Sequence, residues 1–197
     1  MNHLAHLFLA DRTSESLASN LAADSLKGDV SGYPMRLQEG IRLHRSVDAF
    51  TDGHPDVWAS KRLVHPVAGR YAGPVTDVFF DHILATEWSD FTDEPLEDFI
   101  DSVYRLLQKD PEGVPMPFGS FLPRMIADDW LSRYKTMEGT AGALARMNGR
   151  LRTPLVIPAV VALLSERSEE IRVRFRRFFP ELQEHARKIK QSLDPSV

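Results

Sequence analysis

Apolar residues recur along this chain at intervals of three and four, with no convincing strict alternation, so the pattern predicts helices and no strands. The clearest stretch begins at the turn Gly32-Tyr33-Pro34 and ends at Asp52-Gly53-His54-Pro55, where glycine permits a left-handed stop and proline cannot continue the helix. At about 100° per residue, His44 and Asp48 fall within about 20° of Leu37 and in line with Ile41. Leu43, Val47 and Phe50 widen the same arc, whereas Gln38, Arg42 and Arg45 lie away from it. His44, Asp48 and Asp52 stand at i, i+4 and i+8. A histidine and a carboxylate facing inward cost several kcal/mol unless they have partners. Metal ligation is one way to supply them.

The other elements follow from the same spacing. His3 and His6 open an apolar segment, three residues apart; His6 reads equally as a site residue and as part of a helix start buried on the core. Thr13 or Ser14 caps a helix carrying Leu17, Asn20, Leu21 and Asp24, stopped by Lys27-Gly28. A helix from Asp56 to Ala68 comes next. Gly73-Pro74 starts a helix to Trp88 that is apolar nearly all round and therefore central. On it Asp77 and Asp81 share one stripe with His82 beside them, facing either a common ion or salt bridges to Arg70 or Arg45. Leu96 to Leu107 is amphipathic, and Asp110 to Pro123 is a Pro/Gly-rich loop. Helices resume over Leu122–Tyr134, with the acidic pair Asp128-Asp129 at the surface, then over Gly142–Leu151 and Pro154–Leu164. In the last helix, Glu169 to Leu193, Arg172, Arg174, Arg176 and Arg177 alternate with Phe175, Phe178 and Phe179. The expectation there is buried rings and solvated arginines rather than a nucleic-acid surface, with Pro180 breaking or kinking the helix. The fold expected is all-α, a single compact multi-helix domain over residues 1–197 with eight or nine helices.

Composition narrows the chemistry. The chain has 197 residues and no cysteine, which excludes disulfides, thiolate metal sites and cysteine nucleophiles. No apolar run reaches membrane-spanning length, and the N-terminus lacks a basic leader, so a cytoplasmic protein is expected. The net charge of −4 hides an asymmetry: from Leu131 onward 13 Lys/Arg face 7 Asp/Glu, while the preceding part is strongly acidic. The acidic part suits cations and the basic part an anionic partner.

The inward candidates are His6, Asp24, His44, Asp48, Asp77, Asp81 and His82, with Asp52 and His54 at the end of the long helix. Nitrogen and oxygen donors without sulfur suit Mn²⁺, Mg²⁺, Fe²⁺ or Zn²⁺, and the excess of acids leans toward Mn²⁺ or Mg²⁺. Such an ion polarises a phosphoryl oxygen and activates water, and a neutral histidine serves as acid or base. There is no P-loop, no dinucleotide fingerprint, no Gly-x-Ser-x-Gly and no His-Glu-x-x-His. Spacing alone names no substrate.

The blocks Met1-Asn-His-Leu-Ala-His6-Leu-Phe-Leu-Ala, Asn20-Leu-Ala-Ala-Asp24-Ser-Leu-Lys-Gly28, Gly40 to Pro55 and Asp77-Val-Phe-Phe-Asp81-His82 resemble the acyl carrier protein phosphodiesterase family, as does the closing Arg-Phe-Phe-Pro-Glu-Leu. The resemblance implies a helical fold related to the HD phosphohydrolases, although the doublet here is reversed, Asp81-His82. It implies a divalent metal, usually Mn²⁺, with Mg²⁺ or Fe²⁺ as alternatives, and a place in fatty acid and lipid metabolism. The reaction implied is hydrolysis of holo-acyl carrier protein to the apo form and 4′-phosphopantetheine. Asp24, His44, Asp48, Asp77, Asp81 and His82 become the metal-site candidates. His82, His54 and Asp52 become the catalytic ones, with His82 or His54 protonating the departing serine oxygen. Carrier proteins are acidic, so Lys27, Arg36, Arg42 and Arg45 are expected to meet one. The alternatives are an HD-like phosphohydrolase of nucleotides or other small phosphoesters, and a non-catalytic helical binding module.

Overall fold

The computed structural model describes residues 1–26, 28–109 and 121–193. Among them it contains ten α-helices and no strand: α1 (His3–Leu9), α2 (Ser14–Ala22), α3 (Met35–Gly53), α4 (Pro55–Ala68), α5 (Ala72–Thr86), α6 (Leu96–Lys109), α7 (Leu122–Ala127), α8 (Met137–Asn148), α9 (Ile157–Glu166) and α10 (Ser168–Leu193). Most of the Asp110–Pro123 loop expected from sequence lies outside the described residues. No described helix is long and apolar enough to cross a membrane.

The centre is α5, as its all-round apolarity predicts. Every residue from Val78 to Ala85 is buried, including Asp81 and His82. Helices α1, α4 and α8 pack around it, α2 lies along α3, and α10 crosses α3 and α4. α10 is held by rings: Phe175 meets Phe80 at 5.1 Å between centroids and Phe179 meets Phe91 at 5.0 Å. Its arginines sit on the other side in ion pairs, Arg172 and Arg176 with Glu87, Arg177 and Arg174 with Asp56.

Several boundaries differ from expectation. α10 runs on through Pro180. Asp24 falls not on α2 but on a 3₁₀ turn, Ala23–Ser25, that follows it. The stretch Leu122–Tyr134 is not one helix: α7 stops after Ala127, and Asp129 takes φ 44°, a left-handed conformation that a short polar side chain tolerates. The amide of Trp130 then returns to Met125 O at 3.0 Å, closing the helix end. α8 starts well before Gly142, because Thr136 caps it by accepting from the Gly139 amide at 3.0 Å. α9 begins at Ile157 rather than Pro154, with Pro158 in its first turn.

Two contacts fix the helices that carry the inward histidines. α1 has no side-chain cap of its own; instead Asp81 on α5 accepts from the amides of Leu4 (2.8 Å) and Ala5 (3.1 Å). A carboxylate from the middle of the chain thus does the work of an N-cap, with the helix dipole favouring it. α2 and α3 approach closely at Gly40, one turn before His44, where a Cβ would lie 1.8 Å from Ser19 Oγ and 3.2 Å from Ser16 O.

Gly40→Ala is therefore expected to push α3 off α2 and to destabilise the protein by about 1–3 kcal/mol in urea unfolding. Asp81→Ala, which strands two buried amides, should cost about 3 kcal/mol, and Asp81→Asn, which keeps one acceptor oxygen, should cost less in the same measurement.

Candidate metal centre

His6 and His44 reach the same place from α1 and α3. Both are on apolar faces, beside Leu4, Ala5 and Leu7 in one case and Ile41, Leu43 and Val47 in the other, so burial of the helix carries the imidazole in with it. The rings stack at 3.9 Å between centroids, 15° apart. Asp48 lies beneath them: His6 Nε2 is 3.1 Å from Oδ1 and His44 Nε2 is 3.1 Å from Oδ2. Asp24 closes the group from the solvent side, with Oδ1 3.2 Å from His44 Nε2. The Met1 α-amino group sits 3.3 Å from Asp48 Oδ1 and 3.4 Å from Asp77 Oδ1.

The donor set fits a divalent cation. One ligand atom each from His6, His44 and Asp48 lies within 4.8 Å of the others. Each Nε2 lies 3.1 Å from an oxygen of Asp48, so the three side chains present nitrogen and oxygen donors close enough to share one ion. Nδ1 of each ring is buried and unpartnered, so stacking, not a second hydrogen bond, orients the rings.

The electrostatics follow from the crowding. For His44, burial pulls the imidazole pKa down, but hydrogen bonds to Asp24 and Asp48 outweigh it and lift the group to about 9. For His6, burial dominates and the adjacent His44 adds to it, leaving it at about 4. Burial pushes Asp48 up, yet His44, His6 and the α-amino group together hold it well below the usual carboxylate range. Within the pair one ring keeps a proton and the other does not.

Asp24, Asp48, Asp77 and Met1 line a cavity of about 300 Å³, with His6 and His44 reaching it through Asp48. Its lining brings together Asp24, Asp48, Asp52 and Asp77 with Arg146 and Arg150 from α8, and with Trp130 and Tyr134. His3 lines it too, stacked against Trp130 at 6.3 Å and held neutral, at about 4, chiefly by burial.

The structure separates the residues singled out by spacing. It brings together His44, Asp48, Asp24 and His6, the last an inward candidate outside the metal set that the resemblance implied. Asp77 and Asp52 line the cavity, Asp52 exposed and paired with Lys61 at 2.6 Å. Asp81 lies behind α1 with both oxygens on backbone amides, and burial raises it to about 7. Neither Asp77 nor Asp81 pairs with the arginines considered for them: Arg45 donates to the carbonyls of Leu26 and Gly28, and Arg70 to Tyr71 and Thr153. His82 points the other way, Nδ1 donating to Tyr134 O at 2.8 Å and Nε2 lying 3.4 Å from Arg172. His54 caps α4 by accepting from the Asp56 amide, and its Nε2 faces Glu181. Neither histidine is among the residues lining the cavity. Arg36, Arg42 and Arg45 are exposed on the outer face of α3, and Lys27 lies outside the described residues. Arg146 and Arg150 went unremarked in the sequence, although their i, i+4 spacing places them on one helix face.

A family model described as acyl carrier protein phosphodiesterase matches residues 1–182. Similar proteins named acyl carrier protein phosphodiesterase include one from Pectobacterium atrosepticum, 30% identical over 189 residues, covering 95% of this chain and 98% of the relative. One from Klebsiella pneumoniae is 30% identical over 190 residues, covering 92% and 95%. One from Salmonella agona is 32% identical over 152 residues, covering 76% and 79%. No solved structure matches the chain.

In metal-free protein the folded state holds the His44 proton more tightly than the unfolded chain does. That contribution is complete below the ordinary value of 6.5 and is lost as pH rises through about 9. Urea midpoints measured with chelator present should fall between pH 6.5 and 9 in the wild type, and fall less in His44→Gln.

Proposed function

The chain belongs to the acyl carrier protein phosphodiesterase family, a family of phosphodiester hydrolases, and on that premise we propose that it cleaves holo-acyl carrier protein into apo-carrier and 4′-phosphopantetheine. The observation that carries this reading is the convergence of buried His6 and His44 on Asp48, which with Asp24 also lines an accessible cavity. Diester cleavage needs such a place, where positive charge meets the phosphoryl oxygens and water becomes a nucleophile.

His6, His44 and Asp48, assisted by Asp24, would hold the divalent cation. Two imidazoles with carboxylates favour Mn²⁺ or Fe²⁺ over Mg²⁺, and Mn²⁺ agrees best with the acidic surroundings. When bound it supplies Lewis-acid polarisation of a phosphoryl oxygen and a lowered pKa for water beside it. The chain's own groups do the rest. Asp48 fixes both Nε2 atoms toward one point. Asp77 lines the cavity, and burial raises its carboxyl despite the nearby α-amino group. It is the wall group best suited to hold a proton and return it to the serine oxygen as that oxygen departs.

The protein partner is the carrier itself. Arg36 and Arg42 are exposed on α3, and Arg45 fastens the loop that follows Asp24 through Leu26 and Gly28. A basic strip beside the site orients an acidic protein.

Incubation with holo-carrier and Mn²⁺, read by intact mass, should show loss of the phosphopantetheine mass; an unchanged carrier with folded, metal-loaded protein rejects this substrate. His6→Ala and Asp48→Asn should each lower bound metal and reduce turnover by at least about 10²-fold. Charge reversal at Arg42 and Arg45 should reduce kcat/KM for the carrier by about 10-fold and leave kcat nearly unchanged, as measured over a range of carrier concentrations.

A further inference from the structure

Two arginines that line the cavity have no assigned task. Arg146 is half-buried, its guanidinium carbon 4.3 Å above the Trp130 ring, and among the described residues it has no ion-pair partner. Arg150, one turn further along α8, is likewise unpaired among them, although both arginines line the same cavity as Asp24, Asp48, Asp52 and Asp77. Those acids therefore do not neutralise them. Trp130 Nε1–H is buried beside them and also lacks an acceptor. Burial pulls the Arg146 pKa down, the mark of a cation lifted partly out of water without compensation. The lining thus holds a half-buried guanidinium and an exposed one, neither in an ion pair among the described residues, around the same space of about 300 Å³ as the four acids.

We propose that Arg146, with Arg150 beside it, grips the phosphoryl oxygens of the substrate in the cavity that Asp24 and Asp48 of the His–Asp cluster also line. Guanidinium donors suit a diester because they can meet two oxygens at once. The stack on Trp130 fixes the guanidinium plane before substrate arrives, so little rotamer freedom is lost on binding. The assignment rests on the phosphodiesterase reading only in naming the anion a phosphate ester; the cavity's demand for an anion stands on its own.

The test is titration of inorganic phosphate into the full-length protein, metal-free and Mn²⁺-loaded, followed by calorimetry, with metal stoichiometry and melting temperature recorded for each variant. Arg146→Met keeps an apolar chain on Trp130 and removes the charge; it should weaken phosphate binding at least 10-fold in both forms with bound metal unchanged. Arg146→Lys should recover part of the loss, and Arg150→Gln should show a smaller one. In carrier hydrolysis, Arg146→Met should raise KM and lower kcat together. Phosphate affinity equal to wild type in folded Arg146→Met and Arg150→Gln overturns the proposal, whatever their activity. Phosphate binding that depends on Arg146 in a protein that leaves holo-carrier intact upholds the grip and rejects the carrier as substrate.

Discussion

A single buried carboxylate holds the inward face of this molecule together. Asp81 is fully enclosed in the central helix, and it stays there because the first amides of α1 donate to both of its oxygens. The arrangement satisfies both sides. An enclosed carboxylate without donors and a helix start without a cap are each costly; joined, they lock the direction of α1 against α5. That direction sets where His6 emerges. His6 in turn stacks on His44 and shares Asp48 with it, so the geometry of the cluster is inherited from a hydrogen-bonded cap on the far side of a short helix.

Periodicity made much of this legible. The line through Leu37, Ile41, His44 and Asp48 is present in the folded α3, with His44 buried among the same neighbours. The apolar wrap of α5 announced the centre of the fold. What spacing along one helix does not carry is which neighbour claims an inward polar group. Asp81 and His82 are both buried, as the pattern requires, but one serves backbone amides of α1 and the other a backbone carbonyl at Tyr134. Those partners lie on segments whose approach is decided by packing. His6 was ambiguous for the same reason: a seven-residue apolar helix has two plausible fates for its histidine until its partner helix is known. Boundaries failed where tertiary contact overrode local preference. α8 takes in Gly139 because Thr136 caps its amide, and a Cβ there would stand 2.0 Å from the carbonyl of Arg133, so the segment Arg133–Gly139 closes only with glycine.

The charge asymmetry of the chain also has a spatial meaning. Its acidic first part supplies the carboxylates that line the cavity, and its basic last part supplies Arg146 and Arg150 of the same lining. A phosphate ester carries negative charge and is cleaved beside a cation, so it calls for both kinds of group at once. Elsewhere the two parts are tied by ion pairs such as Arg172–Glu87 and Arg177–Asp56, but among the described residues none joins Arg146 or Arg150 to the acids of the cavity.

The last helix divides two tasks that are often merged. Its phenylalanines supply adhesion, which is insensitive to the solvent's ions, while the arginines of its outer face, bonded to Glu87 and Asp56, supply register. Surface ion pairs are screened over a Debye length of about 8 Å in physiological salt and about 3 Å in molar salt. Brine therefore loosens the more exposed guanidinium contacts of Arg176 and Arg177 and leaves α10 seated on its buried rings, a change visible to a probe of side-chain order and silent to one of helix content.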